Sequence, residues 1–331
     1  MPHVLIPNQI HPDGIELLDG RHGFTVDLPA ALGPGDLPAR LAQADAIIVR
    51  GMTVEQRMLD MAPGLRFVCR HGVGYDNVDV PALTARGIVL AVTPEANAPS
   101  VAEHALTLIL TLARRVVDYN SGVRRGEWRA LSQSPTFDLA GKAVLLVGFG
   151  RIGTRTAKLC AAFGMRVLVR DPLVPANTIR GLGFEPTKDL AEGLGQADVV
   201  SLHCPSNAST RGMVNADFLS AIKPGAILIN TARGTLVDET ALEAALRSGH
   251  LAAAGLDVVA VEPMNEPIPL LSLPNVVVTP HVAASTQQGL RRMAIASAEN
   301  VMNFFAGTLD PDAIVNPEAL NGSNLSVSGG A

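Results

Sequence analysis

The sequence predicts an α/β protein built from two doubly wound parallel-sheet domains. Three observations carry that reading. Short β-branched runs alternate with amphipathic stretches, which is the pattern of βα units in a parallel sheet. The alternation occurs twice, once in each half of the chain. A length of 331 residues also exceeds one ordinary core and suggests about two domains of ~100–200 residues each.

In the first half the expected strands are HVLIP (3–7), FTVD (24–27), AIIVR (46–50), RFVCR (66–70) and IVLA (88–91). A long helical pattern follows from about 100 to 120, opening on Pro99 and Ser100 with Glu103 at capping-box spacing. The segment 124–142 is turn-rich and reads as a surface loop, in which Trp128 would be an unusually exposed aromatic suited to an intermolecular contact. Six strands are then expected: VLLV (144–147), RVLVR (166–170), VVSLH (199–203), AILIN (226–230), AAGLDV (253–258) and VVVT (276–279). A second long helical pattern covers 286–305. The two long helices read as crossings between domains, with a hinge near both. One domain then comprises 1–98 plus 286–318, the other 99–285, and 319–331 forms a flexible tail.

Composition excludes several classes. Hydrophobic residues make up 47% and charged residues 17%, enough to bury large cores, so a disordered chain is excluded. The net charge is −5 and no basic stretch interleaves with aromatics, which argues against nucleic acid as a partner. ALTLILTLA (105–113) is too short to span a bilayer, and the first residues lack a signal-peptide pattern, so a cytoplasmic protein without a membrane partner is expected. Cys69, Cys160 and Cys204 are scattered and odd in number, which favours reduced thiols over a disulfide framework or a metal site.

The stretch VLLVGFGRIG (144–153) sets G-x-G-x-x-G directly after an expected strand and before a helical pattern. That context is what dinucleotide binding requires. Gly148 would permit the tight turn, Gly150 the approach of a pyrophosphate, and Gly153 close helix packing. The amides of Arg151 and Ile152, at the helix start, would face the phosphates. Asp171 ends the next strand 18 residues past Gly153, near the ~20 expected of a carboxylate that binds ribose hydroxyls. A carboxylate there favours NAD over NADP, although Arg170 beside it is a residue type that pairs with a 2′-phosphate.

In an open α/β sheet, ligands bind beyond the carboxyl ends of the strands. There the second half places Cys204 and Pro205, then Thr231, Ala232 and Arg233, then Asp257 and Glu262, and finally His281. Singly, Arg233 reads as a surface residue, Glu262 as a solvated charge and His281 as a core histidine. Together they deliver a cation, a carboxylate and an imidazole to one sheet edge. That set fits hydride transfer at a hydroxyl-bearing carbon, which needs a proton-exchanging group and a cation to hold a carboxylate. A nearby Glu would raise the imidazole pKa and orient the ring.

VGFGRIG, HCP, NTARGTLVDETAL, GLDVVAVEP and TPHVAAST, in this order, resemble the D-isomer-specific 2-hydroxyacid dehydrogenases. VRGMT, RHGVGYDNVD and TPEANAPSVAEHAL resemble that family's substrate domain, so the likeness runs from about Val4 to Asn316. It implies a flavodoxin-like substrate domain and a Rossmann NAD domain with a cleft between them, and a homodimer packed through the segment around Trp128. It also implies His281 as acid/base, Glu262 as its partner, and Arg233 as the group that binds substrate carboxylate and polarises the carbonyl. The backbone of Val73 and Gly74 would hold the carboxylate, with Asn97 and Arg50 near the substrate. Cys204, Pro205, Thr231, Ala232 and Asp257 would contact the cofactor. Formate dehydrogenases of the family carry Gln where Glu262 stands, which disfavours that activity.

RHGVGYDNVD and ANAPSVAEHA look most like the phosphoglycerate dehydrogenases, with Arg50 placed to meet a distal anion; no regulatory domain is expected after the last helix. Glyoxylate, hydroxypyruvate or another 2-keto acid is the alternative substrate. A reading from another class is a nicotinamide-sensing protein like the family's corepressors. A methyltransferase using the glycine loop would leave Arg233, Glu262 and His281 unexplained.

Overall fold

Runs such as AVLLV and AILIN are buried at every position, as strands are when both faces of a parallel sheet are covered. The structure, a computed structural model, describes residues 1–19, 23–28, 35–131 and 136–322. The chain divides into two units, one of residues 1–97 with the segment from 285 onward, the other of residues 98–284.

Among the described residues the first unit contains five strands: β1 (His3–Leu5), β2 (Thr25–Asp27), β3 (Ala46–Val49), β4 (Phe67–Arg70) and β5 (Val89–Ala91). They form one parallel sheet in the order β2-β1-β3-β4-β5. The order reverses between β1 and β3, which defines a switch point at their carboxyl ends. Helix Gln287–Ala306 covers one face of this sheet with Ala294, Ala298, Val301 and Phe304, a helical spacing of apolar residues. Phe304 stacks on Phe67 with ring centroids 4.4 Å apart. Thr286 caps the helix by accepting from the Gly289 amide, and Gly307 ends it at φ 73°. The C-terminal segment then fastens the β5 edge, where Val315 donates to the Leu90 carbonyl and Leu90 to Asn316 Oδ1 at 2.7 Å.

The second unit holds β6 (Ala143–Val147), β7 (Arg166–Arg170), β8 (Glu185–Pro186), β9 (Val199–Leu202), β10 (Ala226–Asn230), β11 (Leu251–Leu256) and β12 (Val276–Val278). All pairs are parallel, in the order β12-β11-β10-β9-β6-β7-β8. Alternate residues enter opposite cores: Leu145, Val200 and Leu228 on one face, Val144, Val199 and Ile227 on the other. The switch point here falls between β6 and β9.

Several expectations need correction. The second sheet has seven strands rather than six; β8 is a two-residue edge pairing held where Arg166 Nε bonds both Glu185 carboxylate oxygens at 3.0 and 2.9 Å. Such a short charged pairing carries no hydrophobic period. The long helix of 100–120 is two helices, Ala98–Ala113 and Val116–Arg124. Between them Arg115 adopts φ 50°, and the Ala113 carbonyl accepts the Phe137 amide instead of extending the helix. Ser100 is therefore not a cap: the helix begins two residues earlier and Ser100 is 4% exposed within its first turn. Residues 319–322 do not belong to a flexible tail, because Pro317–Gly322 forms a 3₁₀ turn and Ala319 joins the core of the first unit. Residues 323–331 of that tail lie outside the described residues. Around Trp128 the chain forms a short helix, Trp128–Leu131, and the indole is 71% exposed.

Candidate active site

The glycine loop follows β6 at the switch point of the second sheet. Gly148 takes φ 102°, and a Cβ there would come within 2.6 Å of the His203 carbonyl carbon and 2.7 Å of the Cys204 amide. The loops after β6 and β9 thus pass each other closely enough that only glycine fits. At Gly153 a Cβ would overlap the Gly148 carbonyl, so the helix packs directly under the turn. Gly150 differs: it stands at the N-cap of helix Arg151–Ala162, and a Cβ there would meet nothing within 4 Å. Its open face, with the helix start at Arg151 and Ile152, is the cradle a pyrophosphate needs.

Asp171, just past β7, ties this loop in place. Phe149 N–H donates to Asp171 Oδ2 at 2.7 Å and Leu173 N–H to Oδ1 at 2.8 Å. Each oxygen keeps a lone pair for a further donor such as a ribose hydroxyl. Thr231, after β10, is 7% exposed and its hydroxyl oxygen is buried without a hydrogen-bond partner. The open glycine cradle, the oriented carboxylate and this orphaned hydroxyl form a polar set that fits a dinucleotide. Cys204 and Pro205 follow β9; burial pushes the Cys204 thiol up to about 11, so it is a neutral lining group.

The three expected chemical groups meet beyond β10, β11 and β12. Glu262 Oε2 lies 2.6 Å from His281 Nδ1, while Glu262 Oε1 accepts the Val259 amide at 2.8 Å. The hydrogen bond that His281 donates to Glu262 raises its pKa above 6.5; burial opposes this, and the Glu262 and Asp257 charges add to it. For Glu262, burial acts to raise the pKa but is outweighed by the His281 and Val259 hydrogen bonds, leaving it below 4.5. The Arg233 charge is felt by both groups, lowering each. His281 is the outermost, its side chain 54% exposed against 31% for Glu262. With Nδ1 engaged, Nε2 is the nitrogen left to meet a ligand.

Local structure explains why these residues stand where they do. Asn230, fully buried at the end of β10, accepts the Ala232 amide at 3.0 Å and donates to the Arg233 carbonyl at 2.8 Å, shaping the Thr231–Arg233 turn. A Cβ at Gly234 would overlap the Val259 carbonyl, so the Arg233 turn and the Glu262 loop touch through backbone alone. Glu239 accepts the Ala260 amide at 2.8 Å and anchors the other side of that loop. His281 has φ 52°, a left-handed conformation that costs a non-glycine residue about 1–2 kcal/mol. Its amide donates to the Asp257 carbonyl at 2.8 Å, and the Asp257 carboxylate accepts the Val282 and Ala283 amides, each at 2.9 Å. Asp257 is 1% exposed, and both of its oxygens hold the His281 turn.

The first unit places the remaining residues at its own strand ends. Arg50 follows β3 and is exposed. Asn8, after β1, accepts the amides of Arg50, Gly51 and Met52 at 3.2, 3.1 and 3.3 Å, so one oxygen shapes the whole Arg50 loop. Val73 and Gly74 lie half-buried after β4, where Gly72 takes φ 134° and exchanges hydrogen bonds with Thr93. Asn97 ends the first unit, and its Oδ1 is buried without a partner. Asn8, Asn230, Glu239 and Gly234 escaped sequence reasoning because their partners are backbone groups that no motif spacing reveals.

The sequence profile of the D-isomer specific 2-hydroxyacid dehydrogenases, NAD binding domain, matches residues 106–283, and the chain belongs to that family. A D-3-phosphoglycerate dehydrogenase of Mycobacterium leprae is 42% identical over 317 residues, covering 95% of this chain and 59% of the relative. The chain therefore spans about three-fifths of that relative's length. A glyoxylate reductase of Aeropyrum pernix is 36% identical over 327 residues, covering 96% of this chain and 97% of the relative. Among solved structures, the TT0316 protein of Thermus thermophilus superposes with a TM-score of 0.83 at 37% identity, covering 95% and 99% of the two chains. An NADPH-dependent glyoxylate/hydroxypyruvate reductase of Sinorhizobium meliloti, in complex with NADP and malonate, gives 0.81 at 34% identity, covering 96% and 97%.

Proposed function

We propose that this protein is a D-2-hydroxyacid dehydrogenase that interconverts a 2-hydroxy acid and its 2-keto acid with NAD. The observation that carries the reading is the His281–Glu262 pair under the influence of Arg233, built on the same sheet edge as the glycine cradle. A bound nicotinamide dinucleotide supplies or accepts the hydride at C2 of the substrate. In reduction, protonated His281 gives its Nε2 proton to the keto oxygen as that oxygen gains charge. Glu262 holds the ring by Nδ1 and stabilises the imidazolium before transfer. Arg233 binds the carboxylate and polarises the carbonyl, a role suited to its fork of donors. In oxidation neutral His281 takes the hydroxyl proton. Val73, Gly74, Asn97 and Arg50 of the first unit are assigned to substrate binding by the family likeness alone.

NAD is favoured over NADP because the Asp171 carboxylate, already oriented by Phe149 and Leu173, would repel a 2′-phosphate. For substrate, 3-phosphoglycerate and phosphohydroxypyruvate are supported by the relatives named D-3-phosphoglycerate dehydrogenase and by Arg50 at the switch point of the first sheet. Glyoxylate or hydroxypyruvate reduction is the second reading, supported by a relative named glyoxylate reductase that matches over nearly its full length. A homodimer is supported by exposed Val116, Val117, Val123 and Trp128 on neighbouring helices. Among the described residues, no helix is long and apolar enough to cross a membrane.

The test is NADH oxidation across glyoxylate, hydroxypyruvate, phosphohydroxypyruvate, pyruvate and bulkier 2-keto acids, repeated with NADPH and with His281→Ala. We expect one dominant substrate, a preference for NADH, and loss of at least ~10²-fold in kcat for His281→Ala, as removal of a general acid gives. Cofactor affinity should hardly change in that variant. No turnover by the unsubstituted protein, or full turnover by His281→Ala, would reject the reading.

A further inference from the structure

A chain of side-chain hydrogen bonds leads from helix Ala98–Ala113 to the turn that bears His281. His104 Nε2 lies 2.9 Å from Thr279 Oγ1, and the Thr279 hydroxyl donates to Asp257 Oδ1 at 2.5 Å. A hydroxyl has a single hydrogen. Because Thr279 commits its own to Asp257, its oxygen can only accept from His104, which fixes the proton of His104 on Nε2. The same Nε2 lies 3.5 Å from Asp257 Oδ1, so His104 also faces the buried carboxylate directly.

That carboxylate is the clasp of the His281 turn. Besides Thr279, it takes the amides of Val282 and Ala283, which flank His281 on its C-terminal side. His281 itself is held in a left-handed conformation that an unfastened chain would leave. Thr279, Val282 and Ala283 therefore act together, and His104 closes the set from a separate helix. His104 is only 20% exposed, so most of its ring is enclosed by the protein.

We propose that His104 is a positioning residue for His281, acting through Thr279 and Asp257 to fix the turn on which the imidazole stands. The inference rests on the catalytic role of His281 argued above. The bond between Glu262 and His281 Nδ1 is not a member of this hydrogen-bonded chain, so loss of His104 should misplace the imidazole rather than change what it binds.

The test pairs His104→Leu, which removes the donor, with His104→Gln, whose side-chain amide can reach the same hydroxyl. A second pair, Thr279→Val and Thr279→Ser, probes the link from the other side and guards against a Leu variant that fails to fold. We expect His104→Leu to lower kcat by ~10-fold with KM and cofactor Kd within about twofold, the signature of a lost transition-state arrangement. His104→Gln and Thr279→Ser should recover kcat to within ~3-fold of the unsubstituted protein. The double variant His104→Leu, Thr279→Val should lose little more than the worse single change, as members of one network do. Independently of turnover, hydrogen exchange at the Val282 and Ala283 amides should accelerate ~10-fold in His104→Leu. Equal kcat losses in the Leu and Gln variants, additive losses in the double variant, or unchanged exchange at these amides would overturn the proposal. If the unsubstituted protein reduced no 2-keto acid while the exchange difference persisted, the catalytic reading would fall and the coupling of His104 to the turn would stand.

Discussion

At the scale of single residues, the Glu262–His281 pair couples rate to pH in a direction that can be worked out. The hydrogen bond to Glu262 is the largest influence on His281 and raises its pKa, while burial and Arg233 lower it. Keto-acid reduction consumes the protonated ring, so it should persist above pH 6.5 and fall as pH passes through the raised value. Glu262→Gln removes the main raising influence and leaves burial and Arg233 against the weaker Asp257 charge, so the fall moves to lower pH. Reduction should then lose more at pH 8 than at pH 6, and oxidation should do the reverse; parallel losses at ~pH 6 and ~pH 8 would remove Glu262 from this role. The same pair contributes to stability with a matching sign. The Glu262 contribution is lost as pH falls through its lowered pKa, and that of His281 as pH rises through its raised one. Residue identities at strand ends were readable because Arg233, Glu262 and His281 each follow an apolar run. The groups that aim them were not, since Thr279 and His104 bond to side chains far along the sequence and Asn230 to backbone groups of its own turn.

At the scale of elements, the strands were legible because a buried parallel strand needs an unbroken apolar run, and AVLLV, RVLVR and AILIN supply it. Helix limits were less so. The break at Arg115 depends on the Phe137 amide reaching the Ala113 carbonyl, a contact made across 24 residues of sequence. The crossing of helices Pro12–Leu18 and Gln287–Ala306 is equally hidden. There a Cβ on Gly14 would sit 2.5 Å from the Ala294 carbonyl oxygen. Gly14→Ala would improve intrinsic helix propensity by about 1 kcal/mol. The overlap it creates should cost more, because forced overpacking destabilises by about 1–3 kcal/mol and the obstacle here is backbone. Denaturant titration should show a lower midpoint for the variant, with cofactor affinity retained because Gly14 lies in the other unit from the glycine loop. A raised midpoint would mean that the two helices separate at little expense.

At the scale of the whole molecule, Val116, Val117 and Val123 on helix Val116–Arg124 and Trp128 on helix Trp128–Leu131 are exposed, and water does not favour such apolar groups. Light scattering should find a dimer, and Trp128→Glu should shift it towards monomer with secondary structure intact; an unchanged mass would place the contact elsewhere. The division into two units has a further consequence for how the chain is made. The second unit is continuous in sequence, whereas the first is closed by a helix at residues 287–306 and by the residues 313–316 that bind its edge strand. During synthesis the five strands of the first sheet emerge long before the Ala294, Val301 and Phe304 that cover them. At ~5–20 residues per second, the intervening unit takes roughly 10–40 s to translate. For that interval an apolar sheet face waits uncovered on the ribosome, so the nascent chain should depend on holding factors most strongly before helix Gln287–Ala306 leaves the exit tunnel.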